Sequence, residues 1–423
     1  MSNERMVEHV TCLGCGCGCD DVTVRVSQNR IVDVSPVCPL GQAWFGDGLV
    51  PSEILSDGAP VSLDRALAIA AAELVGARGR CLVYLGPDLT SQAQRAALTI
   101  ADLLRATVDC ATSDTAANGL VTAQRRGRAG ATLGEIRNRG DVFLFWGVDP
   151  GQRYPRFLAR YGPEPVGTHV PEGRPGRYVI SVSVGADTSV TGADLSLELK
   201  PDEEITALSL MRASVQGHEL PASSAAAAQA VEIAGRLARA RYAVVVHDGE
   251  PTAERRHPLR AEALVTLTQA LNGPTRAALC SLRAGGNRVG AESVLTWQTG
   301  YPLGVDYSRG YPRYRPDARG ISGIVSGATR AALLVGSLVL DEPAQTALSE
   351  VSTIVIGPRA SEAQLGTSIT IDTGIAGIHE SGTAYRMDEV PLELRAPLTG
   401  PRSATEVLLE LNEAIRRDLQ EKT

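Results

Sequence analysis

Six short apolar runs, set off by residues such as Gly, Pro and Asp, limit most tightly what this chain can fold into. They are Cys81–Leu85, Val142–Trp146, Tyr178–Val182, Tyr242–Val246, Leu333–Val335 and Val351–Ile356. Runs this short and this uniformly apolar suit strands covered on both faces. Between them lie helix candidates: Ser91–Arg105, Ser223–Ala240, Leu259–Leu271 and Thr405–Leu419. Strand–helix alternation on this scale gives doubly wound parallel sheets, whose ligand sites lie at the strand C-terminal ends. A length of 423 residues suits two to three such domains, and 43% apolar residues can fill their cores without covalent staples.

The first fifty or so residues have a different texture. Val22–Val26 and Ile31–Val34 alternate apolar and polar residues, as a hairpin with one wet face does, turning at Gln28-Asn29. Ahead of and behind that hairpin stand Cys12, Cys15 and Cys19, then Cys38-Pro-Leu-Gly41. Three thiolates from one Gly-rich loop and a fourth from a distant turn are a candidate [4Fe–4S] site. Gly14, Gly16 and Gly18 permit the tight fold this requires. Structural zinc is the rival, although zinc ribbons pair two Cys-x2-Cys halves and here the second half supplies one cysteine. Inert thiols are the third reading. Cys17 has the wrong spacing for a ligand.

The net charge of −7 carries no basic footprint for nucleic acid. No targeting segment stands at the N-terminus, and no apolar run approaches the roughly 18 residues of a membrane span. A cytoplasmic location is therefore expected, where eight cysteines are reduced thiols or metal ligands. Six histidines are scattered without metal spacing; His247-Asp248 ends a strand, where a capping or solvated role is expected. Ser281 and Ser381 lack a nucleophile-elbow signature.

The cysteine segment Cys12-Leu-Gly-Cys15-Gly-Cys-Gly-Cys19-Asp-Asp21 with Cys38-Pro-Leu-Gly41 resembles the N-terminus of pterin-dependent formate dehydrogenases, and more closely that of the formylmethanofuran dehydrogenase B subunit. Similar too are Trp146-Gly-Val-Asp-Pro150, Asp194 to Pro201, Leu295 to Arg313 and Gly377 to Asp388. The resemblance runs from about Cys12 to Leu394. It implies a molybdopterin-oxidoreductase (formate dehydrogenase-like) α/β fold. A Cys-rich iron–sulfur-type domain would span 1–55. One Rossmann-like domain would be discontinuous, over 56–112 and 283–423, with a second over 113–282. Pterin contacts would fall at Trp146, Gly147, Lys200, Arg283, Glu380 and Thr383. Lys200 is one of only two lysines, so a phosphate or pterin edge and an ordinary surface role both remain open for it. Tyr301–Arg319 reads as an ordered loop. Its arginines and tyrosines suit an anion, a flat ring or a partner protein.

The pattern breaks where chemistry would occur. In the family a Val-Asp pair, here Val108-Asp109, is followed six residues later by the thiolate or selenolate that ligates Mo or W, then by a histidine. This chain has Thr115 and Ala116 there. A hydroxyl is a poor ligand for such a metal, and alanine moves no proton. Arg283 matches the family's basic residue, whereas the histidine two positions on is Gly285. The resemblance therefore implies no molybdopterin or tungstopterin and no catalytic residue. It points to the B subunit of the bacterial formyltransferase/hydrolase complex, a scaffold that accompanies a hydrolase-type A, a C and a formyltransferase-type D subunit. That complex passes a formyl group from formyl-tetrahydromethanopterin to a methanofuran-type carrier and releases formate. The alternatives are a redox-active protein with tungstopterin and a [4Fe–4S] cluster, and a ligand-binding protein using an empty pterin cleft.

Overall fold

The computed structural model describes residues 4–219, 224–251, 256–338, 340–363, 365 and 367–421. Ser223, at the start of one expected helix, and Lys422, the second lysine, lie outside the described residues. That helix runs Ala225–Ala238, capped by the Ser224 hydroxyl, which accepts the Ala227 N–H. Up to residue 112 the strands are β1 (Arg5–Cys12), β2 (Cys19–Ser27), β3 (Arg30–Ser35), β4 (Ile54–Ser56), β5 (Ala59–Pro60), β6 (Cys81–Leu85) and β7 (Thr107–Cys110). The middle of the chain adds β8 (Val142–Trp146), β9 (Tyr178–Val184), β10 (Leu195–Leu199), β11 (Ala243–Asp248) and β12 (Ala277–Leu282). Beyond residue 284 come β13 (Val305–Asp306), β14 (Arg313–Tyr314), β15 (Ala331–Val335), β16 (Ser352–Gly357), β17 (Thr367–Asp372), β18 (Gly382–Tyr385) and β19 (Pro391–Leu394).

These elements form two compact units. The first comprises Met1–Thr112, Gly285–Arg386 and Pro391–Thr423, so the cysteine-rich segment is counted within it. The second comprises Ser113–Ala284 with Met387–Val390.

The first unit is built on a nine-stranded sheet ordered β14-β13-β7-β6-β15-β16-β17-β4-β5. Its middle strands β7, β6, β15, β16 and β17 are parallel, and antiparallel strands close both edges. Alternate residues explain the two-sided burial. Val83, Leu85, Leu333 and Val335 pack with Leu74, Leu98 and Leu408 from three helices, whereas Leu82, Ala332 and Leu334 meet Ile321, Ala344 and Leu348. Burial on both faces is what uniformly apolar runs require. A separate antiparallel sheet, β1-β2-β3, carries the cysteines. Its expected hairpin is present, and Gln28 and Asn29 both adopt positive φ, +50 and +56, the conformation of a primed two-residue turn.

The second unit holds a five-stranded, wholly parallel sheet ordered β10-β9-β8-β11-β12. Strands β9 and β10 extend one way from the first strand, β8, and β11 and β12 the other. The reversal of winding therefore falls between β8 and β11. The apolar residues of β8, β9 and β11 pack with Leu208, Ile233, Leu237 and Leu264 from the covering helices.

Two expectations change. Tyr301–Arg319 contains β13 and β14, which extend the sheet edge and are too short to show a period. His247 is buried inside its strand's end and not solvated.

Candidate functional site

Cys12 closes β1 and stands opposite Cys19, the first residue of β2. Cys38 is the residue before the short helix Pro39–Phe45. Two glycines let the segments meet. A Cβ on Gly41 would lie 3.1 Å from the Cys12 sulfur and 2.3 Å from Val37, and one on Gly14 would lie 2.8 Å from the Leu40 carbonyl oxygen. Burial pushes the Cys12 thiol up to about 12; the Gly14 amide opposes this, and Cys19, Cys15 and Cys38 are near enough to add to it. Cys12 and Cys19 are thus cross-strand partners, and the Cys38 turn packs against Cys12 through Gly41. Among the described residues, no group of three or more His, Cys, Asp or Glu is arranged to hold a metal ion. Cys17 is fully buried as a core residue.

Glu380 and Thr383, also in the first unit, are engaged in holding the fold. The Glu380 carboxylate accepts the Thr90 hydroxyl at 2.8 Å, the Thr405 hydroxyl at 2.5 Å and the Ala404 amide at 3.1 Å. It thereby caps the helix Ala404–Glu421. Burial raises its pKa despite these donors. Thr383 exchanges hydrogen bonds with the Gln92 side chain. Asp109 is buried at the end of β7 and accepts the amides of Gly304 and Gly320 at 3.0 and 2.7 Å. The Val108-Asp109 pair therefore anchors the Tyr301–Arg319 segment. In that segment Tyr301 stacks on Tyr314 with centroids 4.9 Å apart, and Arg313 pairs with Asp306. Gly285 is explained by space. A Cβ there would lie 2.5 Å from the Leu13 carbonyl oxygen, and the next amide, Gly286, donates to that oxygen at 2.8 Å. The backbone of the cysteine loop lies where any side chain at 285 would begin.

In the second unit Thr115 and Ala116 begin the helix Asp114–Arg126, and the Ala116 amide donates to the Ser113 hydroxyl that caps it. Ser113 in turn donates to Glu250 at 2.7 Å. The other oxygen of Glu250 receives Arg283 Nε at 3.0 Å and the Ala284 amide at 3.2 Å. Burial alone would raise the Glu250 pKa, but Arg283, Ser113 and Ala284 together bring it below the ordinary carboxylate value. Sequence reasoning missed Glu250; its only signal was a second carboxylate two residues after Asp248 at a strand end. Trp146 is fully buried and donates its indole N–H to Glu204 at 2.8 Å. Asp187 fills the space beside Gly147. Lys200 is exposed at the end of β10 and, through its backbone amide, bonds Glu203.

Pterin contacts require uncommitted groups at these positions. Trp146, Arg283 and Glu380 are instead committed to buried partners of this chain, and Asp187 lies beside Gly147.

No protein-family model matches the chain. The B subunit of tungsten-containing formylmethanofuran dehydrogenase 2 from Methanocaldococcus jannaschii is 30% identical over 416 residues, 94% of this chain and 95% of that one. The chain belongs to the family of formylmethanofuran dehydrogenase B subunits. The protein of the same name from Methanococcus maripaludis is 30% identical over 413 residues, 93% of this chain and 94% of its own. In fold, this family member is similar to a chain in the X-ray crystal structure of the formyltransferase/hydrolase complex from Methylorubrum extorquens with methylofuran. The TM-score is 0.72 at 24% identity, over 86% of this chain and 99% of that one. The parallel α/β sheets expected for the formylmethanofuran dehydrogenase family are those observed. Among the described residues no helix is long and apolar enough to cross a membrane.

Proposed function

We propose that this chain is the B subunit of a cytoplasmic formyltransferase/hydrolase complex, and a scaffold within it. The observation that carries the reading is the state of the ancestral redox position. Thr115 stands where the family places its metal thiolate, and the matching Arg283 is neutralised by the buried Glu250. The similarity of fold to a chain of the Methylorubrum complex supports the assignment. Hydrolysis of a formamide needs no redox metal, so the chemistry falls to the partners: a hydrolase-type A subunit, together with a formyltransferase-type D subunit, while C completes the assembly. In this reading the complex takes formyl groups from formyl-tetrahydromethanopterin onto a methanofuran-type carrier and releases formate.

A retained [4Fe–4S] cluster would be held by Cys12, Cys15, Cys19 and Cys38 and would supply one-electron transfer when bound. The pairing of Cys12 with Cys19, and the two glycines that let the Cys38 turn approach Cys12, support this. Iron, zinc, molybdenum and tungsten content of the complex purified without oxygen tests both statements. About four irons per chain without molybdenum or tungsten is the expected result. Stoichiometric tungsten or molybdenum, with formate oxidation or CO2 reduction tracking it, would overturn the scaffold reading; absence of iron would remove the cluster.

A further inference from the structure

A doubly wound sheet takes nucleotides outside its strand C-terminal ends, where the winding reverses. In the second unit that place lies between β8 and β11, and it is filled by the chain's own charges. The loop after β8 turns on Gly147, with φ +60. A Cβ there would lie 2.5 Å from an Asp187 carboxylate oxygen and 3.0 Å from the Arg260 guanidinium. Arg260 lies 2.7 Å from Asp187 as an ion pair outside hydrogen-bond geometry, and donates to Glu204, the acceptor of the Trp146 indole. Arg256 lies 3.9 Å from both Asp187 and Asp248, and Asp248 is held further by Arg153 and by the Tyr154 hydroxyl at 2.9 Å.

Three guanidiniums thus face three carboxylates, and all but Arg153 have side chains under a tenth exposed. A diphosphate needs uncompensated guanidinium charge, which Arg supplies in a planar fork when nothing else claims it. Here each guanidinium is claimed. Two atoms nevertheless remain without hydrogen-bond partners: Arg256 Nε and the Asp187 oxygen that faces Arg260. They show where the cluster has unused capacity. The end of β9, where a dinucleotide fold places an acid for the ribose, is the buried Val184.

We infer that Asp187 holds a latent diphosphate site shut: it neutralises Arg256 and Arg260 at the winding reversal, and removing its charge opens the site to a diphosphate. The inference is independent of the scaffold assignment, since diphosphate binding leaves the metal content unaffected.

Calorimetric titration of the full chain with inorganic pyrophosphate, and separately with ADP, tests it. Wild type is expected to show no saturable binding up to millimolar ligand. Asp187→Asn, equal in shape and one charge lighter, should bind pyrophosphate about tenfold tighter than wild type or better. Adding Arg256→Met should abolish the gain. Asp187→Ser, which removes the same charge with a smaller side chain, is the second route if Asp187→Asn fails to fold. Saturable binding by wild type would overturn the inference. So would a folded Asp187→Asn without the gain, a gain that survives Arg256→Met, or, where only Asp187→Ser folds, no gain in that variant.

Discussion

The two parallel sheets finish their strands alike in backbone and differently in side chains. In the first unit β6, β15 and β16 run into Gly86, Gly336 and Gly357, and the backbone closes over itself. Gly86 donates to the Val335 oxygen at 2.6 Å, Gly336 to the Ile356 oxygen at 2.8 Å, and a Cβ on Gly357 would lie 2.5 Å from the Gly336 oxygen. In the second unit β8, β9 and β11 also run into glycines, with Gly147 donating to the Val182 oxygen at 2.7 Å, Gly185 to the Leu199 oxygen at 2.9 Å and Gly249 to the Leu282 oxygen at 2.8 Å. There, however, Trp146, His247, Asp248 and Ser281 add a layer of paired side chains. One architecture therefore has two kinds of seal. A glycine seal depends on the lack of a side chain, a charged seal on the presence of both partners. The first is broken by adding a methyl group and the second by removing a charge.

The largest effect is expected in the charged seal. Glu250→Ala takes from the buried Arg283, the Ser113 hydroxyl and the Ala284 amide the carboxylate they share, and breaking a buried pair from one side costs about 3–5 kcal/mol. Urea unfolding of the chain measures it; a loss no larger than that of an exposed pair would show that the charges do not hold these ends. Next comes Gly357→Ala. Its methyl group meets backbone that cannot rotate away, and overpacking of this kind costs about 1–3 kcal/mol. A variant as stable as wild type in the same assay would mean that the first unit is not closed by proximity.

An effect that is nil at neutral pH sharpens the contrast as the pH falls. Burial, with Arg256 and Arg260 nearby, lowers the His247 pKa from 6.5 to about 3. Its Nε2 lies 2.7 Å from the Ser281 hydroxyl, on the register partner in β12. The folded protein keeps His247 neutral while the unfolded chain takes up a proton below about pH 6.5, so stability falls as pH drops from there towards 3. The slope from this residue is about 1.4 kcal/mol per pH unit at most. Thermal melts of His247→Gln against wild type, from pH 7 downwards, should show the variant losing less. The neighbouring Asp248, whose pKa burial raises, acts in the opposite sense and is common to both proteins. Parallel curves would remove His247 from the account.

The strands covered on both faces were legible because burial on both sides leaves an uninterrupted apolar run, as in Val142–Trp146. Strand β7 was not, since Asp109 sits inside it, and neither was β12, where Cys280 and Ser281 interrupt the apolar residues. The four cysteines were legible by spacing, and the approach of the Cys38 turn to Cys12 depends on Gly14 and Gly41, whose role emerges only when two distant loops meet. The charged seal left no mark. Asp187, Glu204, Glu250, Arg256 and Arg260 come from separate loops and helices, with no period or motif to connect them. A charge paired across the fold looks the same in sequence as one paired with water.

Glu250 has a consequence for how such a chain can be assembled and altered. It accepts from Ser113, where the chain enters the second unit, and from Ala284, where it leaves. The inserted stretch is therefore cinched at its neck by one carboxylate. To the host around it, the insertion behaves as a short loop, since closure entropy depends on the distance between the ends and hardly on what lies beyond them. The insert has its own core and a tied neck, so that core can form during synthesis, and Met387–Val390, whose Asp388 accepts the Leu133 amide, joins it later. The same neck marks where the insert could be excised and its host rejoined with a short linker.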